Sequence, residues 1–235
     1  MGLGVVGTGV AAHILGSEHS LADVTGRIVN LKKVLVRDAS RSRDVDLPAG
    51  VLTTNAEDIL SDPNIHIVVE VMGGTDPAES YIKQALASGK HIVTANKEVV
   101  AKSGPELMAL AWQNDANLLF EASVGGGIPI VGCMMNELAA NDIRSIRSII
   151  NGTTNYILTK MAQQGTPFKQ ALGEAQALGY AESDPTNDIE GIDASYKLTI
   201  LASLAYRRSF QPSDVYCEGI SKLEPQDFRY AEELG

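Results

Sequence analysis

The sequence predicts an α/β fold in two parts: a parallel-sheet domain over residues 1–125 and an α+β domain over residues 126–235. Three observations lead there. Short apolar runs alternate with helical patterns as far as Phe120, an alternation that builds parallel strands joined by crossover helices. One run, Ile65–Val71, is almost unbroken, as a strand covered on both faces should be. Past Phe120 the rhythm changes at a joint, flexible through Gly125–Gly127 and rigid at Pro129.

Each element has its own signal. Lys33–Val36, His91–Thr94 and Leu118–Phe120 are short β-rich runs. Pro77–Ser88 has a helical pattern stopped by Gly89, and Gly104–Gln113 is a second helix. Beyond the joint the pattern predicts a helix near Ile130–Ala139, a strand near Ile143–Asn151, and helices near Asn155–Ala162 and Ala171–Leu178. Asp193–Tyr206 opens on an acidic residue and carries Leu198, Leu201, Ala202 and Ala205 at helical spacing. Tyr230–Gly235 has the composition of a helix that stops early.

Composition removes several classes of function. The net charge of −10 repels phosphate backbones, which argues against nucleic acid as a partner. Cys133 and Cys217 are far apart with no nearby histidine pair, so neither a disulfide framework nor a zinc site is indicated. There is no basic segment ahead of an apolar stretch, Val6 stands where myristoylation wants Ser or Thr, and no apolar stretch is long enough to span a bilayer. The expectation is a cytoplasmic protein that does not engage membranes.

Gly2-Leu3-Gly4-Val5-Val6-Gly7 has the spacing of a dinucleotide-binding turn. In that turn the first glycine bends tightly and the second lets backbone approach a pyrophosphate. The third packs the next helix on the sheet, its N–H groups aimed at phosphate. Almost nothing precedes Gly2, where such a turn expects a strand. Arg37, Arg41 and Arg43 follow the Lys33–Val36 run, in the place where arginine accommodates a 2′-phosphate and a carboxylate holds a ribose hydroxyl. They favour NADP over NAD, and a solvated basic loop is the alternative.

Thr94-Ala95-Asn96-Lys97-Glu98 follows a buried run, at the kind of strand end where ligands sit in open sheets. Lys97 there could bond a carbonyl or carboxylate, or simply cap a loop. The stretch Gly179–Asp193 holds five carboxylates, Glu182, Asp184, Asp188, Glu190 and Asp193, in a loop broken by Gly and Pro. Asp193 and Lys197 are four apart and share a helix face. A lysine held among acids is a candidate proton carrier; a surface ion pair is the alternative. The turn Glu121–Pro129 offers Glu121 and exposed carbonyls to a hard cation, or is simply a hinge.

Together these stretches resemble homoserine dehydrogenase. The matching motifs are Gly2–Gly7, TANKE at 94–98, EASVGGGIPI at 121–130, NGTTNYIL at 151–158 and GYAESDPTNDIEGIDASYK at 179–197. The resemblance implies a Rossmann-type cofactor domain, and reversible hydride transfer between NADPH or NADH and aspartate semialdehyde. It implies Lys197 as proton donor, Lys97 as a second catalytic lysine, and Asp188 and Asp193 as their acidic partners. Glu182, Tyr180, Gly152 and Thr153 would hold the substrate. Gly2, Gly4, Val5, Val6, Gly7, Arg37, Gly73, Ala95 and Lys97 would hold the cofactor. Glu121, Val124, Gly126 and Ile128 would hold a sodium ion, mostly through backbone oxygens, and the family associates as homodimers. The family carries a strand before the fingerprint and continues beyond the last motif, so the resemblance implies a chain short at both ends. Rival readings are another Rossmann oxidoreductase acting on a small amino-acid-like carbonyl and a dinucleotide-binding protein without catalysis.

Overall fold

A computed structural model describes residues 1–16 and 18–235, except for the side chains of residues 18–20. The chain divides into two compact units, Met1–Gly127 and Ile128–Gly235. Among the described residues no helix is long and apolar enough to cross a membrane.

The first unit opens with α1 (Val5–Gly16) and α2 (Glu18–Thr25), then β1 (Val34–Leu35), β2 (Leu52–Thr53) and α3 (Glu57–Leu60). There follow β3 (Ile67–Glu70), α4 (Ala78–Ala87), β4 (His91–Thr94), α5 (Lys97–Gln113) and β5 (Leu118–Leu119). β1 pairs with β2, and β3, β4 and β5 pair in that order, all parallel. Helices α4 and α5 turn an apolar stripe inward: Ala78, Ile82, Ala85 and Leu86 on one, Val99, Val100, Leu107 and Ala111 on the other. Lys90 is buried, and its Nζ donates to the carbonyls of Asp62 at 2.6 Å and Ile65 at 2.8 Å, tying the start of β4 to the approach to β3.

The two pieces of sheet meet through the first residues of the chain. Gly2 N donates to Leu35 O at 3.0 Å on the β1 side. On the β3 side the Met1 amino group donates to Val69 O at 2.6 Å, and Val71 N donates to Met1 O at 3.0 Å. Met1 and Gly2 therefore take the central position of the sheet, with β1 and β3 as neighbours, but only at its C-terminal end. A cavity of ≈ 710 Å³ lies beside these residues, lined by Val34, Ile65, Ile67, Val68 and Val69 among others. This explains why Ile67, in a strand expected to be covered on both faces, stays 53% exposed.

Four first-unit elements differ from expectation, among them α2, which was not among the expected helices. β2 and α3 are too short to leave a periodic signal. Helix α5 starts at Lys97, seven residues before Gly104, because the Asn96 side chain caps it by accepting from Val99 N at 3.2 Å.

The second unit contains α6 (Val131–Met135), α7 (Gly152–Gln164), α8 (Phe168–Ala177), α9 (Thr186–Ile189), α10 (Ile192–Tyr206) and α11 (Pro225–Leu234). Ile157 and Met161 of α7 pack on Ala171 and Ala175 of α8, with Ala181, Phe168 and Phe228 closing the cluster. The helix expected as far as Ala139 stops at Met135, where the Asn136 side chain donates to the Gly132 carbonyl at 3.0 Å in competition with the helix. The strand expected near Ile143–Asn151 does not form, and no strand ladder exists among the described residues of this unit. Its carbonyls serve side chains instead: Tyr206 Oη donates to Arg144 O at 3.2 Å and Lys197 Nζ to Ile150 O at 3.0 Å.

Two outcomes are expected. A Cβ at Gly7 would sit 2.2 Å from Gly2 O, whereas one at Gly9 meets open space. Gly7→Ala should lower stability to urea by about 1–3 kcal/mol and Gly9→Ala should raise it slightly. Burial lowers the Met1 amino group to a pKa of about 6 from 8.0, opposed by the Glu70 charge. The unfolded chain then binds more protons between pH 6 and 8, so stability should rise with pH across that window, by at most about 2–3 kcal/mol.

Candidate functional site

Each unit gathers its own set of predicted residues. In the first they collect at the C-terminal ends of the strands. Gly2 has φ +91°, and a Cβ there would lie 2.8 Å from Val71 O. With Gly7 it forms a contact closed to any side chain, which holds α1 against β3. Gly4 has open space at its Cβ position, and Thr8 N is the first amide to bond back, to Gly4 O at 2.8 Å. The amides of Gly4, Val5, Val6 and Gly7 thus lie ahead of the helical ladder, in a turn whose side chains point to solvent, with Val5 93% exposed. A row of unused N–H groups at a helix start favours an anion.

Glu70, at the end of β3, was not singled out in the sequence. It is fully buried and accepts from Met72 N at 2.7 Å and from Thr94 Oγ1 at 2.7 Å. Thr94 Oγ1 in turn accepts from Asn96 N at 2.9 Å, and Asn96 Nδ2 donates to Gly74 O at 2.7 Å. This network ties the Gly73–Gly74 turn, where both glycines have positive φ, to the turn that carries Ala95 and Lys97. Lys97 is half-buried as the first residue of α5. The available signal was a carboxylate interrupting the apolar run Ile65–Val71.

After β1, Arg37 is exposed. The loop behind it is organised: Arg43 donates to the carbonyls of Arg41 at 2.6 Å and Asp38 at 2.5 Å. Asp38 accepts from the Ser40 hydroxyl and amide, which hold its carboxyl below the usual range.

In the second unit Asp193, the second residue of α10, is 2% exposed. Its Oδ2 accepts from Lys197 Nζ at 2.7 Å and from Asn151 Nδ2 at 3.0 Å. Asn151 Nδ2 also donates to Asp188 Oδ1 at 2.7 Å. Thr153 Oγ1 donates to the Tyr180 carbonyl at 2.6 Å and lies 3.0 Å from Asp188 Oδ2. Lys197, Asp188, Asp193, Thr153 and Tyr180 are therefore one assembly, with Gly152 beside it as the first residue of α7. Glu182 is exposed and its carboxylate takes no part in this network; its carbonyl accepts from Gln176 Nε2 at 3.0 Å. The Tyr180 ring lies 5.1 Å from that of Tyr156, which anchors it to the core.

A strap fixes the acidic loop from behind. Ile220 N donates to Ile189 O at 2.8 Å and Ser221 Oγ to Glu190 Oε1 at 2.8 Å. Gly191, at φ +78°, starts α10 where a Cβ would meet Cys217 Sγ at 2.7 Å.

The proposed cation ligands are divided. Glu121 opens a 3-10 turn in the first unit that Val124 caps, Val124 N donating to Glu121 O at 3.3 Å, and Gly126 follows at φ +61°. Ile128 belongs to the second unit and is exposed. Among the described residues no group of three or more His, Cys, Asp or Glu side chains could hold a metal ion.

Comparison with known proteins agrees across both units. Residues 2–121 match the family model described as homoserine dehydrogenase, NAD binding domain, and residues 129–235 match the homoserine dehydrogenase model. The chain is 45% identical over 235 residues to a homoserine dehydrogenase of Bacillus subtilis, covering all of this chain and 54% of that protein. It is 47% identical to the crystal structure of a homoserine dehydrogenase from Thiobacillus denitrificans, with TM-score 0.92, covering 100% of this chain and 54% of the other. A hyperthermophilic archaeal homoserine dehydrogenase solved in complex with NADPH is 31% identical with TM-score 0.68, over 89% of this chain and 60% of that one. The chain thus spans about half the length of the relatives it matches.

Removing Asp193 would strand the Lys197 ammonium and one Asn151 donor in a buried place. Asp193→Ala should therefore cost about 3 kcal/mol of stability by urea denaturation, whereas Glu182→Ala, at an exposed site, should cost less than about 0.5 kcal/mol.

Proposed function

Because this chain belongs to the homoserine dehydrogenase family, we propose that it carries out NAD(P)-dependent, reversible reduction of L-aspartate 4-semialdehyde to L-homoserine. The observation that carries the reading is the Lys197 ammonium. It is held by Asp193 Oδ2 at 2.7 Å and Ile150 O at 3.0 Å, which occupy two of its three N–H groups. The third serves the substrate oxygen. Reducing an aldehyde places a hydride on carbon and a proton on oxygen. Lys197 Nζ gives that proton to the aldehyde oxygen and is left as a neutral amine beside Asp193, ready to be recharged.

The bound nicotinamide supplies or accepts the hydride. The residues present suit such a cofactor: Gly2 and Gly7 exclude side chains from the turn, and the amides of Gly4, Val5 and Val6 at the start of α1 would hold a pyrophosphate. Gly73 and Ala95 would hold the nicotinamide half of the cofactor, and Lys97, the first residue of α5, is the second catalytic lysine of this reading. Exposed Arg37, beside a loop braced by Arg43, receives a 2′-phosphate, so NADP is the preferred cofactor. Asp188 and Asp193 orient Lys197. Exposed Glu182 pairs with the substrate ammonium, and Tyr180, Gly152 and Thr153 shape the pocket around it.

The same reading includes a sodium ion, for which Glu121, Val124 and Gly126 offer oxygens around the glycine turn that follows Val124. It includes a homodimer formed through the second unit, where Ile149 and Tyr216 stand exposed. It places the protein in the cytoplasm, where the free thiols of Cys133 and Cys217 stay reduced.

Steady-state assay of the purified chain with NADPH and aspartate semialdehyde tests the proposal. Lys197→Ala should lower kcat by about 10²–10⁴-fold with a smaller effect on KM. Arg37→Ala should raise the KM for NADPH and leave that for NADH unchanged. Turnover that survives Lys197→Ala would reject the assignment.

A further inference from the structure

We infer that Asn151 is a positioning residue for Lys197, its carboxamide acting as the clamp that holds Asp188 and Asp193 together and presents one Asp193 oxygen to the lysine. The inference rests on the proposed role of Lys197 and adds a residue that the functional reading leaves out.

The backbone of Asn151 is extended, at φ −127° and ψ 121°, immediately before α7. Its Oδ1 accepts from Thr154 N at 2.8 Å, the bond that caps the helix. That bond settles which end of the carboxamide points where. With Oδ1 committed to the cap, the amino end must face away from the helix, towards the acidic loop. There its two protons are divided, one to Asp188 Oδ1 at 2.7 Å and one to Asp193 Oδ2 at 3.0 Å. One neutral group thus bridges two carboxylates that would otherwise repel each other. A second lysine could not do this and also cap α7, because it accepts no hydrogen bond.

The link to Lys197 is direct. Asp193 Oδ2, the atom that receives Asn151 Nδ2, also receives Lys197 Nζ. The residue before Asn151 supplies the second acceptor for that ammonium, Ile150 O at 3.0 Å. One turn of chain therefore sets both acceptors of Lys197, one through its backbone and one through its side chain. If the clamp is lost, Asp188 and Asp193 separate, Asp193 Oδ2 shifts, and the third Lys197 N–H loses its direction. Substrate binding, assigned chiefly to Glu182, Tyr180 and Thr153, is little affected.

Asn151→Ser and Asn151→Thr separate this role from capping, since both hydroxyls cap a helix and neither reaches the two carboxylates. Asn151→Ala loses both functions. Each full-length variant is compared with the parent chain in two readouts: kcat and KM with NADPH and aspartate semialdehyde, and the exchange of the Lys197 ε-ammonium protons with water, followed by NMR on 15N-lysine-labelled protein. Asn151→Ser and Asn151→Thr are expected to keep helix content, to lose about 10–100-fold in kcat with KM within about threefold, and to speed ammonium exchange about tenfold as the salt bridge loosens. A chain without turnover in which Asn151→Ser still speeds exchange would remove the proposed reaction while leaving the clamp in place. The clamp is overturned if Asn151→Ser and Asn151→Thr keep kcat and exchange at parental values, or if only Asn151→Ala is impaired, which would reduce Asn151 to a helix cap.

Discussion

The second unit is organised by the need to keep one carboxylate charged out of water. Asp193 is almost fully buried, and an isolated charge in that position is far too costly to persist. It is tolerated because Lys197, one helical turn on, and Asn151, from a distant turn, both donate to the same oxygen. These partners constrain the rest. Asn151 must stand at the start of α7, which fixes where that helix begins. Gly191 must take a positive φ so that α10 can start with Asp193 pointing inward. The strap from Cys217 to Ser221 must close over Ile189–Gly191, where there is no room for another side chain. Each requirement follows from hydrating that acid with protein in place of water.

The first unit uses the same device in a different place. Glu70 lies fully buried among parallel strands, and it too is satisfied by donors from separate elements, Met72 N and Thr94 Oγ1. Here the effect is to couple two loops at the C-terminal edge of the sheet. Those loops carry Gly73 and Lys97, so a structural acid sets the distance between the Gly73–Gly74 turn and the start of α5. Buried acids with donors from several elements behave as rigid joints, because moving any donor uncovers an unpaired charge. Both sets of candidate residues are built around such a joint.

How far this could be read from the sequence depended on the range of the interaction. Asp193 and Lys197 were legible because four residues on a helix place them on one face. The glycine turn was legible because its spacing is local. Asn151 was not, since its partners lie 37 and 42 residues away and its own neighbours show only a helix start. Glu70 was hidden for the same reason. The expected strand at 143–151 failed because β-propensity describes a residue's fit to a sheet and supplies no partner strand. The early start of α5 was missed because Asn96, Lys97 and Glu98 read as polar loop, although an N-cap is polar by nature. The fingerprint calls for a strand ahead of it, but Met1 and Gly2 make no run of their own, and their place between β1 and β3 rests on three backbone hydrogen bonds.

Charge balance connects these joints to the chemistry proposed. Asp188 and Asp193 together carry two negative charges and Lys197 one positive, so the assembly is left with one net negative charge. A cluster of that sign suits the ammonium group of the proposed substrate, and it must also leave Lys197 a proton to give. The two demands conflict if the lysine is free to swing towards a carboxylate and be fully neutralised by it. Asn151 resolves the conflict by taking up part of the hydrogen-bonding capacity of both acids. With Asp193 Oδ2 shared between an amide and an ammonium, Lys197 is retained at one position without being wholly claimed, and one N–H remains for the proposed substrate oxygen. Substitution by aspartate would keep the helix cap and add a third negative charge, so at this position the neutral carboxamide matters as much as its shape.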